Sequence, residues 1–208
     1  MSFEKEVKIY FVRHGETQYN IEKRMQGFCD SPLTDRGISQ AKSVGKGLED
    51  IEFTAVYTSE SQRVIDTANY AVGHRNLPTK TDPRLKEMNF GVLESLLASE
   101  ISEQYGDILE KLFALNDMNM APPDGESYNQ LYTRTTSMIK EIIENHQNEG
   151  GNILVFSHGV TIGFYLMQLT QMTGFPHHDN CSVSVVTYKN NQFEVETIAS
   201  TDFRDQFQ

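Results

Sequence analysis

Two histidines of this 208-residue chain each stand one residue beyond an apolar run and directly before a glycine. Arg13-His14-Gly15 follows the run at residues 7–12, and Ser157-His158-Gly159 follows the run at residues 152–156. Both runs have the length and composition of a buried β-strand. Ligands of open α/β sheets bind at the carboxyl ends of the strands. The two histidines therefore meet in one site if these strands are neighbours in a parallel sheet.

Further charged side chains follow other predicted strands. Arg63 lies at the start of a predicted helix, and Glu87 lies in a loop after a short predicted strand. Arg13 and Arg63 suit bidentate binding of a phosphate or a carboxylate. One histidine can act as a nucleophile while the other donates a hydrogen bond to developing charge. Glu87 can protonate a leaving oxygen, and Glu16 is a minor candidate for the same proton transfer.

The formal net charge of −11 restricts the partners of the chain. Nucleic acids and anionic membrane surfaces attract basic patches, so we expect neither as a partner. A pair of cationic side chains beside a strand end is a local exception in so acidic a chain, and it suits a small anionic substrate. No group of carboxylates has the spacing of a magnesium site. We therefore expect no metal ion and no other cofactor, with arginine and histidine side chains neutralising the charge.

The chain contains no run of the roughly 20 apolar residues that a membrane-spanning helix needs. Its start, residues 1–6, lacks the apolar core of a signal peptide. We therefore predict a cytoplasmic protein in which Cys29 and Cys181 stay reduced and serve as small packing residues. The sequence leaves the oligomeric state open, with a homodimer as one option.

Strand and helix patterns alternate along the chain. Strand patterns fall at about 7–12, 53–58, 79–82, 152–157, 183–189 and 193–199, and helical patterns at about 35–49, 61–72, 94–115, 127–147 and 160–171. This alternation predicts one α/β domain over residues 1–208 with a mainly parallel sheet. A hairpin-like turn at 189–192 predicts one antiparallel edge strand. Thr34 and Ser127 are predicted N-caps, and residues 92–123 are expected to cover the site or to form a wall of it.

Several short motifs accompany these candidate residues, in a fixed order through almost the whole chain. They are Arg13-His14-Gly15-Glu16-Thr17 with Asn20, Gln26-Gly27, Asp30-Ser31-Pro32-Leu33-Thr34, Gly37 with Gln40-Ala41, Thr58-Ser59 with Arg63 and Thr67-Ala68, Leu85-Lys86-Glu87 with Gly91, Gly125-Glu126-Ser127, and residues 155–159. In content and order they resemble the histidine phosphatase superfamily, in the branch related to cofactor-dependent phosphoglycerate mutase. The resemblance implies a three-layer α/β/α sandwich of the phosphoglycerate mutase-like type.

The resemblance also implies roles for individual residues. His14 matches the nucleophile that forms a phosphohistidine intermediate. The residues that match the phosphoryl-binding positions are Arg13, Arg63 and His158, with Asn20 as a further polar contact in some members. Glu87 matches the usual proton donor, which must be protonated to act as an acid, so we expect a mildly acidic optimum. Thr17 and Gln26 are expected near the pocket.

Two departures from the family pattern bear on activity. The run Gly91-Val92-Leu93-Glu94-Ser95 lacks the tryptophan that many phosphatase-like members have after the proton-donor loop. Residues 94–123 lack the Arg, Tyr and Gly cluster of the mutases. We therefore predict a metal-independent phosphomonoesterase that acts on a small phosphorylated metabolite. The alternatives are a cofactor-dependent phosphoglycerate mutase and a non-catalytic, phosphate-binding regulatory module.

The family pattern gives no guidance on which substrate is selected. We expect selection to depend on residues 92–123 and on the loops near Phe28. The adjacent histidines His177-His178 are interpreted as a solvated loop pair.

Overall fold

The computed structural model describes residues 5–207. The prediction that a signal peptide is absent was made on residues 1–6, most of which lie outside the described residues. Its centre is one six-stranded sheet in the order β3-β2-β4-β1-β5-β6. The strands are β1 (Val7–Arg13), β2 (Phe53–Thr58), β3 (Thr79–Thr81), β4 (Gly151–Ser157), β5 (Val183–Lys189) and β6 (Gln192–Ser200). The first four strands of this order pair in parallel, while β5 pairs antiparallel with β1 and with β6. The predicted mainly parallel sheet with an antiparallel edge is confirmed.

The helices follow the predicted pattern with one correction and two short additions, at residues 18–22 and 202–205. They are α1 (Gln18–Glu22), α2 (Asp35–Gly47), α3 (Gln62–Val72), α4 (Ala98–Tyr105), α5 (Ile108–Phe113), α6 (Tyr128–His146), α7 (Gly159–Thr170) and α8 (Asp202–Asp205). Thr34 and Ser127 cap α2 and α6 through their side chains, as predicted. The single helix predicted over 94–115 is wrong. It is divided at Gly106, whose φ of 64° is a conformation that glycine adopts readily and other residues avoid.

Alternating side chains of the central strands pack into two separate cores, one on each face of the sheet. Val7, Ile9 and Phe11 join a cluster with side chains of α6 and α7. Tyr10 and Val12, which point the other way, join a cluster with side chains of α2 and α3. Helices therefore cover both faces, and the predicted three-layer α/β/α sandwich is confirmed.

A third apolar cluster lies under the irregular part of the chain. Leu93, Ile101 and Leu112 pack against Tyr128 of α6 and Phe164 of α7. Residues 92–123 are thus attached to the two helices on one face of the sheet. Within residues 5–207, no helix is both long and apolar enough to cross a lipid bilayer.

Candidate active site

The strand order places β1 directly beside β4, so the two His-Gly motifs lie at the same end of the sheet. Arg13 is the register partner of Ser157, and the backbone N–H of His14 donates to the Ser157 carbonyl at 3.1 Å. The ring centroids of His14 and His158 are 5.3 Å apart. The structure therefore brings the two histidines together, as parallel neighbouring strands require.

The imidazole of His14 is buried and is held in one tautomer. Its Nδ1 lies 2.8 Å from the carbonyl oxygen of Gly15. A carbonyl can only accept, so Nδ1 carries the proton and Nε2 keeps its lone pair. Burial, followed by the nearby Arg63 and Arg13 guanidinium groups, holds the pKa of His14 well below its usual value. His14 is therefore a neutral imidazole with a free electron pair, which is the form that a nucleophile needs.

The loop that carries His14 crosses α2 at very short range. A Cβ on Gly15 would lie 2.5 Å from the carbonyl oxygen of Gly37, and a Cβ on Gly37 would lie 2.0 Å from that of Glu16. Only two glycines allow this approach. The N–H of Gly15 also donates to Thr67 Oγ1 of α3 at 3.0 Å. The nucleophile thus rests on two helices on one side of the sheet.

Arg63, at the start of α3, is 1% exposed and links a loop to His158. Its Nη2 donates to the Gly27 carbonyl at 2.8 Å and to His158 Nδ1 at 3.0 Å, and its Nη1 donates to the Cys29 carbonyl and to Asp30 Oδ1, both at 2.9 Å. A guanidinium cannot accept, so the proton of a neutral His158 lies on Nε2. Burial and Arg63 both hold the pKa of His158 well below its usual value.

Two buried guanidinium N–H groups have no acceptor within residues 5–207. They are the buried Nε groups of Arg13 and Arg63. The Nη1 of Arg13 does have a partner, since it donates to the His178 carbonyl. Buried N–H groups without partners are rare in proteins because each one costs free energy. Two such donors, one at the end of β1 and one in the first turn of α3, are suited to the oxygens of an anion.

The carboxylate of Glu87 is seated on the first turn of α7. It accepts from the N–H groups of Val160 at 3.0 Å and Thr161 at 2.9 Å, and from the Thr161 hydroxyl at 3.0 Å. The N–H of Met88 adds a fourth hydrogen bond at 3.0 Å. Arg134 supports the loop from behind, donating to the carbonyl of Glu87 at 2.7 Å. Because α7 begins just after His158, this seat brings Glu87 to the same end of the sheet.

A cavity of about 430 Å³ opens above His14. Its polar lining includes Arg13, His14, Asn20, Gln26 and Glu87. Its apolar lining includes Met25, Phe90, Leu96, Ile101, Phe113, Val160 and Phe175. Arg63 and His158 are not among the residues that line this space. Leu96, Ile101 and Phe113 come from residues 92–123, the segment expected to cover the site.

Asn20, Thr17 and Gln26 form one hydrogen-bonded group at the edge of the cavity. The Thr17 hydroxyl, which is fully buried, donates to Gln26 Oε1 at 2.9 Å. Asn20 Oδ1 accepts from the Thr17 N–H and from Asn180 Nδ2, both at 3.1 Å. Asn180 Nδ2 also lies 3.1 Å from the His14 carbonyl oxygen. Asn20 and Gln26 therefore face the cavity, while Thr17 supports them from below.

Two residues singled out in the sequence lie away from this cavity. Glu16 binds the Thr34 hydroxyl at 2.9 Å and Arg36 at 3.5 Å, so its carboxylate faces α2 and not His14. Phe28 lies under the ammonium of Lys86, which is 4.0 Å from the ring centroid. Neither is among the residues that line the cavity. Glu16 is therefore excluded as a proton donor in this arrangement, and Phe28 is not part of the wall.

A model of the histidine phosphatase superfamily (branch 1) matches residues 9–201. Apart from the first two residues of β1, the match covers every strand of the sheet, and it includes all the candidate residues. The chain belongs to the histidine phosphatase superfamily. The family prediction, and with it the prediction of a histidine phosphatase enzyme, is confirmed.

The alignments with individual relatives cover nearly the whole length of this superfamily member. The probable phosphoglycerate mutase GpmB of Escherichia fergusonii is 32% identical over 192 residues, which are 90% of this chain and 87% of that protein. The structure of YhfR from Bacillus stearothermophilus has a TM-score of 0.87 at 30% identity and covers 96% of this chain and 100% of that one. The alpha-ribazole phosphatase of Shigella flexneri has a TM-score of 0.82 at 26% identity, with 93% and 96% covered.

Sequence reasoning missed some residues that hold the site together. Ser59 Oγ lies 2.9 Å from His158 Nε2 and is the acceptor that the tautomer of His158 requires. The interpretation of His177-His178 as a solvated pair is wrong for His178, which is 2% exposed. Its ring bonds the Pro176 carbonyl and the Ser184 hydroxyl, and its own carbonyl holds Arg13. A loop histidine gives no sequence signal for such a role.

Acidification is expected to destabilise this phosphatase superfamily member through its buried histidines. Burial lowers the pKa of His178 to about 4, and His14 and His158 shift in the same direction. Between pH 6.5 and about 4, these histidines bind protons in the unfolded chain but not in the folded chain, so the free energy of unfolding falls as the pH falls. His178 alone corresponds to roughly 3 kcal/mol over this range.

Urea unfolding between pH 7.5 and 4.5 measures this effect. His178→Gln is expected to be less stable at neutral pH and to lose less stability on acidification than the wild type. The matched control is His74→Gln, because His74 is exposed, and it should leave the pH dependence unchanged. An equal pH dependence in His178→Gln and the wild type would contradict this, because it would show that His178 binds a proton as readily in the folded chain as in the unfolded one.

Proposed function

We propose that this chain is a phosphomonoesterase that needs no metal ion and forms a phosphohistidine on His14. The observation that carries the proposal is the buried neutral imidazole of His14 at the floor of a cavity, beside two arginines with unpartnered Nε donors. Phosphoryl transfer depends mainly on positioning and on neutralising charge. Arg13 and Arg63 can supply that charge from fixed positions.

The proposed reaction has two steps. First, His14 Nε2 attacks the phosphorus, the N–P bond forms, and the P–O bond to the alcohol breaks. Glu87 acts as the acid and gives a proton to the departing oxygen. In the second step Glu87 takes a proton from water as the water oxygen attacks phosphohistidine, which returns His14 and releases phosphate. The Nε–H of His158 can donate to a phosphoryl oxygen once it turns from Ser59.

The lining of the cavity supports an alcohol with a large apolar part. Phe90, Phe113 and Phe175 face the space above His14, and aromatic walls favour apolar or aromatic groups through burial. A small hydrophilic ester leaves these walls in contact with water. We therefore propose aryl or bulky alkyl phosphate monoesters as the preferred substrates. The name of the Shigella flexneri relative, a phosphatase, is consistent with hydrolysis.

Phosphate release from a series of monoesters tests this proposal. We expect kcat/KM for phenyl or naphthyl phosphate to exceed that for glycerol phosphate by about 10-fold or more, since one buried apolar contact is worth about 1–3 kcal/mol. EDTA is expected to leave the rate unchanged. Loss of turnover with EDTA would contradict the proposed charge neutralisation by arginines. Phosphate binding without release from any ester would favour the non-catalytic module.

Phosphoglycerate mutase activity is the second candidate. The name of the Escherichia fergusonii relative supports it, and so does Lys23. This exposed lysine lines the cavity, and no acidic side chain within residues 5–207 lies within ion-pair distance of its ammonium. A free ammonium there suits the carboxylate of a phosphoglycerate. Interconversion of 2- and 3-phosphoglycerate, stimulated by bisphosphoglycerate and faster than phosphate release, would select this function.

A further inference from the structure

Glu94 joins two loops that belong to different parts of the proposed site. Its Oε1 accepts from the N–H of Phe28 at 2.8 Å and from the N–H of Phe90 at 3.0 Å. Its Oε2 accepts from the N–H of Cys29 at 2.6 Å. No cation within residues 5–207 pairs with this carboxylate. The Glu94 carboxylate is therefore fixed by three main-chain N–H donors, and it in turn fixes the two loops that carry them.

The first of these loops, residues 27–30, is the seat of Arg63. The carbonyls of Gly27 and Cys29 each accept a hydrogen bond from the guanidinium. Cys29 thus binds Glu94 through its N–H and Arg63 through its carbonyl. A shift of this peptide segment moves the guanidinium, whose Nε is one of the two unpartnered donors beside His14.

The second loop, residues 87–90, carries the proposed acid. Phe90 donates to Glu94, and Glu87 lies three residues earlier with its carboxylate bonded to the N–H of Met88. Both loops converge on one carboxylate, although they are about 60 residues apart in the chain. Their relative position therefore depends on Glu94 as well as on the sheet.

We propose that Glu94 is a positioning residue, which sets the place of the Arg63 guanidinium through the loop at 27–30. The inference rests on the proposed function in that Arg63 binds a phosphoryl group. Glu94 lies outside the set of residues that line the cavity, so it acts through Arg63 and not on the substrate. Hydrogen bonds from main-chain N–H groups to a charged acceptor are strong enough for this task.

The test is the affinity of the folded protein for orthovanadate, a phosphate analogue. Glu94→Gln keeps the size of the side chain but replaces one acceptor oxygen with an NH₂ donor. We expect it to weaken vanadate binding about 10-fold or more at a temperature where the variant is fully folded. Glu103→Gln is the matched control, because Glu103 is exposed on α4 and has no hydrogen bond to either loop. Unchanged vanadate affinity in Glu94→Gln would overturn the proposal.

A double-mutant cycle distinguishes positioning from general loosening of the structure. If Glu94 acts through Arg63, adding Glu94→Gln to Arg63→Ala costs less than a further 2-fold in vanadate affinity. Independent losses that multiply would contradict the proposed route. Should Glu94→Gln fold poorly, Glu94→Asp serves instead, since it keeps the charge but cannot reach both loops.

A third measurement needs neither turnover nor a ligand. Arg63 lowers the pKa of His158, so its displacement should raise that pKa and change the ¹⁵N shift of His158 Nδ1. We expect both changes in Glu94→Gln and neither in Glu103→Gln. A protein that hydrolyses no ester but shows these changes would refute the proposed function and leave Glu94 as the residue that places Arg63.

Discussion

Replacing His14 with alanine is expected to lower kcat by about 10⁴-fold or more, because the group that receives the phosphoryl is removed. The Nε2 lone pair of His14 is the reactive electron pair in the proposed reaction, and His158, the neighbouring imidazole, has both nitrogens engaged with Arg63 and Ser59. His158 therefore cannot replace His14 as the nucleophile without breaking those hydrogen bonds. Steady-state phosphate release measures the loss, and acid quenching should trap no acid-labile phosphate on the variant.

His74→Ala is the matched control for this experiment. His74 is exposed in a short 3₁₀ turn after α3, and its loss should leave turnover and the trapped phosphoenzyme unchanged. A His14→Ala variant that retains more than a tenth of wild-type turnover would refute the covalent mechanism. Direct attack by water on the ester would then have to be considered.

Replacing Arg63 with alanine is expected to damage both activity and stability. Arg63 is 1% exposed, and its guanidinium donates to two main-chain carbonyls and to His158 Nδ1. Its loss leaves these acceptors without donors, which should cost about 3 kcal/mol of unfolding free energy. Losing its charge beside the phosphoryl group should lower kcat/KM by roughly 10³-fold. Urea unfolding and phosphate release measure the two effects separately.

Arg75 offers a control with similar bonding in another place. Its guanidinium also donates to two main-chain carbonyls, those of Leu48 at 3.1 Å and Ile51 at 2.6 Å, but it lies away from the cavity. Arg75→Ala should lower stability and leave kcat/KM unchanged in the folded fraction. If the two variants lose kcat/KM to the same extent, the effect of Arg63 is one of stability alone.

The convergence of the candidate residues could be predicted because it depends on local patterns. Apolar runs ending in Arg13-His14 and Ser157-His158 identify strand ends, and parallel strands put such ends on one edge. The register pairing of Arg13 with Ser157 follows from that arrangement. Helix starts at Thr34 and Ser127 were predictable for the same reason, since each cap acts over three residues.

The supporting contacts could not be predicted, because they join residues far apart in the chain. The bond between Ser59 and His158 spans 99 positions, and that between Glu94 and Phe28 spans 66. Nothing in the local sequence distinguishes a glutamate that binds three N–H groups from a solvated one. The burial of His178 was missed for another reason. Its partner Ser184 is only six residues away, but Ser184 is buried because β5 pairs with β1 in the sheet.

The walls of the cavity have a different origin from its floor. Arg13 and His14 stand at the end of a central strand, whereas Leu96, Ile101 and Phe113 belong to the irregular stretch between β3 and α6. Descendants of this chain could therefore acquire new substrates through changes in that one stretch while inheriting phosphoryl transfer intact. A library of variants confined to residues 92–123 is accordingly the smallest one that should change which substrate the enzyme selects.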